Sequence, residues 1–280
     1  MRLTVWGCRG SVPTPGAETV RYGGNTSCVE LSIDGETALV LDAGTGIRRL
    51  GQELVTRDAR RIHLLLTHLH LDHLEGLRFF APLWDERVSV EIWGPPSPVS
   101  GLQERIARSF SPPLFPIDLR GVPAHVTFRD VPREPWAIDD LSLTASLVVH
   151  PGPTVGFRVE TAAASFAYLP DHEPALAGVI AETPREWISG AALADGVDVL
   201  LHDAQYSEEE YEERIGWGHS SVADAVAFAR AVAAERLLLF HHEPLHDDAS
   251  LDGLEEHARA LARSNGIVPT LAREGMVVEL

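Results

Sequence analysis

Apolar residues in this chain come in short runs divided by polar, glycine and proline punctuation, the pattern of strands entering a core with helices between them. Strands are expected over 3–6, 27–33, 38–42 and 62–66, with a helix over 47–56. A short helix follows over 74–80 and a strand over 88–93. The stretch 94–116 is proline-rich around a helix over 101–109, which makes it the best candidate for a flap facing substrate; a passive surface excursion fits the same residues. The second half predicts strands over 141–149, 155–160, 165–169, 197–202 and 236–240, and helices over 222–234 and 251–264. No repeat or linker interrupts this order, so a single domain over 1–280 is expected.

The chemistry concentrates directly after the strand at 62–66, in Thr67-His68-Leu69-His70-Leu71-Asp72-His73. In extended backbone alternate side chains share a face, so His68, His70 and Asp72 can converge while Leu69 and Leu71 anchor the loop. His73 breaks that alternation, and the spacing therefore predicts two neighbouring ions rather than one. Imidazole and carboxylate are usual zinc donors, and mixed N/O sets also accept manganese or iron. A solvated polar loop, or a helix cap at Asp72, is the plain alternative; the flanking leucines argue against it by drawing the histidines inward.

Two ions need more donors than one motif supplies, and isolated ones follow at strand ends. His150 closes Leu147-Val148-Val149 ahead of Pro151-Gly152-Pro153, Asp171 follows the run at 165–169, and His241 follows Leu237-Leu238-Leu239-Phe240. Open sheets place ligands at such ends. Taken singly, each is also a common turn or core residue.

Together these residues resemble the metallo-β-lactamase superfamily, whose HxHxDH motif is His68-Leu69-His70-Leu71-Asp72-His73 here. Within it the chain is similar to the phosphodiesterase branch that includes ribonuclease Z and cyclic-nucleotide phosphodiesterases. The matching segments are the opening Leu3-Thr4-Val5-Trp6-Gly7-Cys8-Arg9-Gly10-Ser11-Val12-Pro13, then Leu41-Asp42-Ala43-Gly44, Leu200-Leu201-His202-Asp203-Ala204 and Gly218-His219-Ser220-Ser221. The resemblance implies an α/β (α+β) fold, a four-layer αββα sandwich of two mixed β-sheets. It assigns His68, His70 and His150 to one ion and Asp72, His73 and His241 to the other, with Asp171 bridging. His172 and His242, the second members of two doublets, could orient ligands, be ligands themselves, or be ordinary loop residues; the first is favoured. Asp203 is expected to orient a ligand histidine through its free ring nitrogen, or to be a turn carboxylate. A histidine at position 70 favours a hydrolytic, zinc-type site over a redox one.

Two cations about 3.5–4 Å apart lower the pKa of a bridging water and clamp the oxygens of a phosphate ester. The implied activity is hydrolysis of a small or cyclic nucleotide-like phosphodiester by a metal-bridging hydroxide, with Asp72 and His219 as catalytic residues. His219 is placed to bond the phosphate or to protonate the leaving alkoxide; it can also merely precede a helix capped by Ser220 or Ser221. Ribonuclease Z-like processing of RNA 3′ ends, hydrolysis of a carboxylic ester or lactone, and a non-catalytic metal-binding module are the alternatives. His63, His125, His246 and His257 read as structural.

Charge bears on the substrate. A formal net charge of -18 disfavours a large nucleic acid, because such binding relies on clustered Lys and Arg. A second copy of the chain, as a homodimer, could supply what this one lacks. The acidic run Glu208-Glu209-Glu210 with Glu212-Glu213 reads as the first turn and exposed face of a helix. No run of about 18 apolar residues and no secretory h-region are seen, so neither membrane span nor export is implied. Cys8 and Cys28 are the only cysteines and are expected to stay reduced in a cytoplasm.

Overall fold

The computed structural model describes residues 1–32, 37–176, 178–263 and 266–280. The expected strand end at Ile33 and helix end at Ser264 lie outside the described residues. The chain forms two compact units: Met1–Pro15, Gly23–Val131 and Arg273–Glu279 make the first, and Gly16–Tyr22, Pro132–Ala272 and Leu280 the second.

The strands of the first unit are β1 (Arg2–Gly7), β2 (Cys28–Ser32), β3 (Thr37–Leu41), β4 (Arg61–Leu65), β5 (Ser89–Gly94) and β6 (His125–Asp130). Those of the second are β7 (Trp136–Ile138), β8 (Leu141–Leu147), β9 (Val155–Glu160), β10 (Ser165–Leu169), β11 (Val199–Asp203), β12 (Arg236–Phe240) and β13 (Val268–Leu271); β14 (Val277–Glu279) returns to the first. Each unit is built on one mixed seven-stranded sheet, ordered β14-β1-β2-β3-β4-β5-β6 and β13-β12-β11-β10-β9-β8-β7.

In the first sheet β3 to β6 run parallel. All five residues of β3 are buried, which is why this strand reads as a continuous apolar run: a parallel strand covered on both faces needs no polar side. Helix α1 (Ile47–Thr56) turns Ile47, Leu50 and Leu54 into a core with Val40, Ile62 and Leu64. Glycines let the turns after β3 and β4 lie flat on each other. A Cβ on Gly44 would stand 2.4 Å from the Asp72 carbonyl oxygen, and one on Gly76 2.1 Å from that of Gly44.

In the second sheet β10, β11, β12 and β13 are parallel, with Leu169 beside His202 and His202 beside Leu239. This register brings the residues that leave β10, β11 and β12 out at one edge, and those include Asp171, Asp203 and His241. Helix α4 (Val222–Ala231) packs Ala225, Phe228 and Ala229 into a core with Leu200, Leu237 and Leu239. The acidic run forms α3 (Glu208–Glu212), opened by a Ser207–Glu210 capping box, and α5 (Asp248–Ala262) follows β12.

Two expectations are revised. The 74–80 segment is 3-10 rather than α-helical over Glu75–Phe79. The helix expected over 101–109 is present as the shorter α2 (Leu102–Ala107), and the 94–116 segment around it makes aromatic edge contacts. Phe115 meets Phe110 at 5.0 Å and Phe79, just past the histidine motif, at 5.8 Å.

Candidate metal centre

In the first unit one carboxylate organises the histidine motif. Asp42 leaves β3 in a left-handed conformation (φ 60°) and is fully buried. Its Oδ1 accepts the Thr67 N–H at 2.8 Å, both its oxygens lie 2.9–3.0 Å from the Thr67 hydroxyl, and Oδ2 lies 2.8 Å from His73 Nδ1. A carboxylate only accepts, so His73 carries its proton on Nδ1 and keeps the lone pair on Nε2. The Thr67 hydroxyl spends its proton on Asp42 and accepts from His68 Nδ1 at 3.1 Å, which leaves the His68 lone pair on Nε2 as well. The His68 ring lies 4.4 Å from the His70 ring and 4.3 Å from that of His73. His70 is exposed while Asp72 and His73 are buried. Asp72 Oδ2 accepts the Ser11 N–H at 2.8 Å and stands 3.4 Å from His73 Nε2.

The second unit repeats the logic with other partners. His150 Nδ1 donates to the Gly218 carbonyl at 2.8 Å and His241 Nδ1 to the Gln205 side-chain oxygen at 3.2 Å. Their Nε2 atoms lie 3.7 Å and 3.3 Å from Asp171 Oδ2. His150, Asp171 and His219 bring donor atoms within 4.8 Å of one another, as do Asp203, His219 and His241. Like Asp42, His241 sits at a strand end with a left-handed backbone (φ 62°); side chains with φ above zero are uncommon and cluster at functional sites.

These spacings discriminate between a proton and a metal ion. A charged N–H···O⁻ bond is about 2.7–2.9 Å long, whereas two donors each about 2.1 Å from a tetrahedral ion stand about 3.4 Å apart. The three Nε2-to-carboxylate distances of 3.3–3.7 Å match the second case. Each of these rings also has Nδ1 committed to an oxygen acceptor, which fixes the tautomer a metal requires. The donors of both units therefore have the chemistry and spacing of divalent-metal ligands.

His219 is partly exposed, stacks on His241 (4.9 Å, 14° between planes) and meets the His150 ring at 4.9 Å. Its Nδ1 lies 2.7 Å from Asp203 Oδ2, so the histidine that Asp203 orients is His219. Asp203 also accepts the backbone N–H groups of His172, Gln205 and Ser220. Ser221 is the cap of α4, its hydroxyl accepting the Asp224 N–H, while the Ser220 hydroxyl donates to the His172 carbonyl. His172 directs Nδ1 to His202 Nε2 at 2.9 Å. Burial and then the His202 ring hold its pKa well below the usual imidazole value. His242 Nε2 bonds the Ala272 carbonyl and its ring meets Tyr22 edge-on. His172 thus braces the His202 ring, and His242 the backbone at Ala272.

Sequence reasoning passed over Asp42, Thr67, Gln205 and Gly218 as orienting groups. Only Asp42 leaves a readable trace, a carboxylate placed where a buried strand ends ahead of a glycine turn.

Residues 37–242 match a family model described as a beta-lactamase superfamily domain. The chain belongs to that superfamily. Its two mixed seven-stranded sheets are those of the metallo-β-lactamase fold, and the superfamily's metal-dependent hydrolase class covers it. A protein named Ribonuclease Z from Haloarcula marismortui is 29% identical, over 92% of this chain and 91% of that one. Among solved structures, the metallo-β-lactamase fold protein YhfI from Bacillus subtilis superposes with a TM-score of 0.71 at 18% identity, covering 100% of this chain and 99% of that one. A diphosphatase of the PhnP family gives 0.69 at 18% identity, covering 100% and 97%. At those identities the two structures bear on the fold alone.

Proposed function

We propose that this superfamily member is a dinuclear metal-dependent phosphodiesterase that cleaves RNA in the manner of ribonuclease Z. In this reading His68, His70 and His150 hold one ion, Asp72, His73 and His241 the other, and Asp171 is shared. The observation that carries it is the set of inward Nε2 lone pairs spaced 3.3–3.7 Å from buried carboxylates. Bound divalent ions, zinc first with manganese or iron as substitutes, would activate water and offset the charge of a phosphate ester. The chain's own groups supply the rest. Asp72, held by the Ser11 N–H, keeps a carboxylate oxygen positioned to take a proton. His219, with Nδ1–H given to Asp203, presents Nε2 for a hydrogen bond to phosphate or for protonation of the leaving alkoxide.

The name of the Haloarcula relative favours RNA over the small or cyclic diester that the charge argument favoured. Net charge describes the whole surface of the metal-free chain, whereas phosphate recognition is local to the ions. The small diester stays as the second reading because of the -18 balance. Cytoplasmic RNA processing also suits Cys8 and Cys28, two buried cysteines. Among the described residues no helix is long and apolar enough to cross a membrane.

The test is metal analysis combined with a substrate panel: an RNA precursor with a 3′ trailer, cyclic nucleotides, dinucleotides, a chromogenic phosphodiester and a lactone. About two ions per chain and RNA cleavage lost in Asp171→Ala support the proposal. Metal content near zero in a metal-replete preparation rejects the site, and hydrolysis of the lactone alone rejects the substrate class.

A further inference from the structure

Resting on that reading of the site, we propose that Glu173 is a positioning residue, which sets the ring of His150 and the start of His219 by clamping the glycine loop between α3 and α4. Glu173 is almost wholly buried, with 1% of its surface exposed. Its carboxylate accepts the Gly216 N–H at 2.9 and 3.1 Å, the Gly218 N–H at 2.8 Å and the Tyr211 hydroxyl at 2.9 Å. These donors are neutral, so the buried charge is met by fixed dipoles rather than by an opposing charge. Buried ionised carboxyls are costly unless so satisfied, and the expense falls here on one short loop.

That loop leads directly to the metal donors. Gly218 offers its carbonyl to His150 Nδ1 at 2.8 Å and is followed in sequence by His219. Its backbone is left-handed (φ 89°), and a Cβ there would stand 2.6 Å from His150 Nδ1 and 2.2 Å from Pro151 Cδ. The carbonyl therefore reaches His150 only while the glycine backbone keeps this path, and Glu173 is what grips it. A second tie acts from the other side: the Glu173 N–H donates to the carbonyl of Val149, the residue before His150. One residue thus fixes both the ring's backbone and the acceptor that decides its tautomer. With Nδ1–H satisfied, the His150 lone pair stays on Nε2, towards Asp171.

Substituting Gln removes the charge and turns one of the two acceptor oxygens into a donor. The amide oxygen can serve Gly218 and the longer bond to Gly216, while the amide NH₂ must face the Gly216 N–H or turn to the Tyr211 oxygen. A graded series is therefore expected, wild type above Glu173→Gln above Glu173→Ala.

The experiment reads histidine ring nitrogens by ¹⁵N NMR in the metal-free chain, and chelator-competition affinity in the loaded one. Wild type should show His150 as the Nδ1–H tautomer. Glu173→Ala should mix its tautomers and weaken the tighter-perturbed ion by about 10–100-fold, with Glu173→Gln between the two. A clamp that only stabilises the fold would lower the melting temperature and leave both readouts at wild-type values; that result overturns the proposal. Should Glu173→Ala not fold, Glu173→Gln decides alone: ring signals and affinity equal to wild type overturn the proposal, and a shift in both upholds it. A wild-type chain that takes up no metal defeats the proposed function, while the tautomer measurement still judges the clamp.

Discussion

Asp42→Asn separates the charge of the orienting carboxylate from its shape. Asn tolerates a left-handed backbone as well as Asp does, so the φ of 60° at this position adds no strain. The amide oxygen can keep the Thr67 N–H and hydroxyl bonds made by Oδ1. The NH₂ group then occupies the place of Oδ2, 2.8 Å from His73 Nδ1, and two donors face each other. His73 must either lose that bond or move its proton to Nε2, the atom that faces Asp72. A hydrogen bond to a charged group contributes about 1.5–3 kcal/mol, and about 1.4 kcal/mol is one decade of affinity. The ion held by His73 should therefore bind about 10–100-fold more weakly, in agreement with the usual effect of removing such a partner. The other ion should respond less, because His68 reaches Asp42 only through Thr67. Chelator competition monitored by calorimetry resolves the two steps. Equal affinity for both ions in Asp42→Asn and wild type would refute the claim that this carboxylate sets the His73 tautomer.

Four further outcomes follow from the same geometry. His219→Ala should cut kcat by about 10²–10⁴-fold with metal content unchanged; a lost ion would make His219 a ligand instead. Removing metal with a chelator should abolish cleavage and lower the melting temperature, with both recovered on adding zinc, since an ion at about 100 times its Kd stabilises the fold by about 2.7 kcal/mol. His202 is fully buried and pushed down by that burial to about 4 from an ordinary 6.5, so the unfolded chain takes up its proton first. Stability should then fall as pH drops from 6.5 to about 4, by about 3 kcal/mol in all; denaturant titrations of metal-free wild type and His202→Asn should differ in slope across that window, and parallel curves would exclude the linkage. Ser221→Ala should cost about 1 kcal/mol in the same titration through loss of the α4 cap.

Much of the fold could be read from the chain because its central strands are largely buried and α3, α4 and α5 open with a side-chain cap. The bounds of β9, β10, β12 and α1 coincide with the expected ranges. The strands that escaped notice are β6, β7, β13 and β14, the edge strands of the two sheets; β7 and β14 are only three residues long, and β6, β13 and β14 pair with strands far along the chain. His125-Val126-Thr127-Phe128-Arg129-Asp130 reads as surface until β5 lies beside it. Metal donors announce themselves by residue type and by their place after a strand. Their orienting partners do not, since a backbone carbonyl such as that of Gly218 has no letter in the sequence, and Asp42 stands 31 residues from the ring it fixes. The substrate was least legible: total charge pointed to small diesters, whereas the relative's name points to RNA.

Parallel register has a consequence for how this scaffold can change. Asp171, Asp203 and His241 are spaced by neighbouring strands whose ladders run from Phe166 beside Val199 to Asp203 beside Phe240, so those parts of the chain looping out between the strands that lie away from the orienting residues Glu173, Gln205 and Gly218 carry little of the burden of aligning them. Insertions or grafts in such excursions can remodel what approaches the ions while the donors keep their stations, which separates the evolution of selectivity from the upkeep of reactivity.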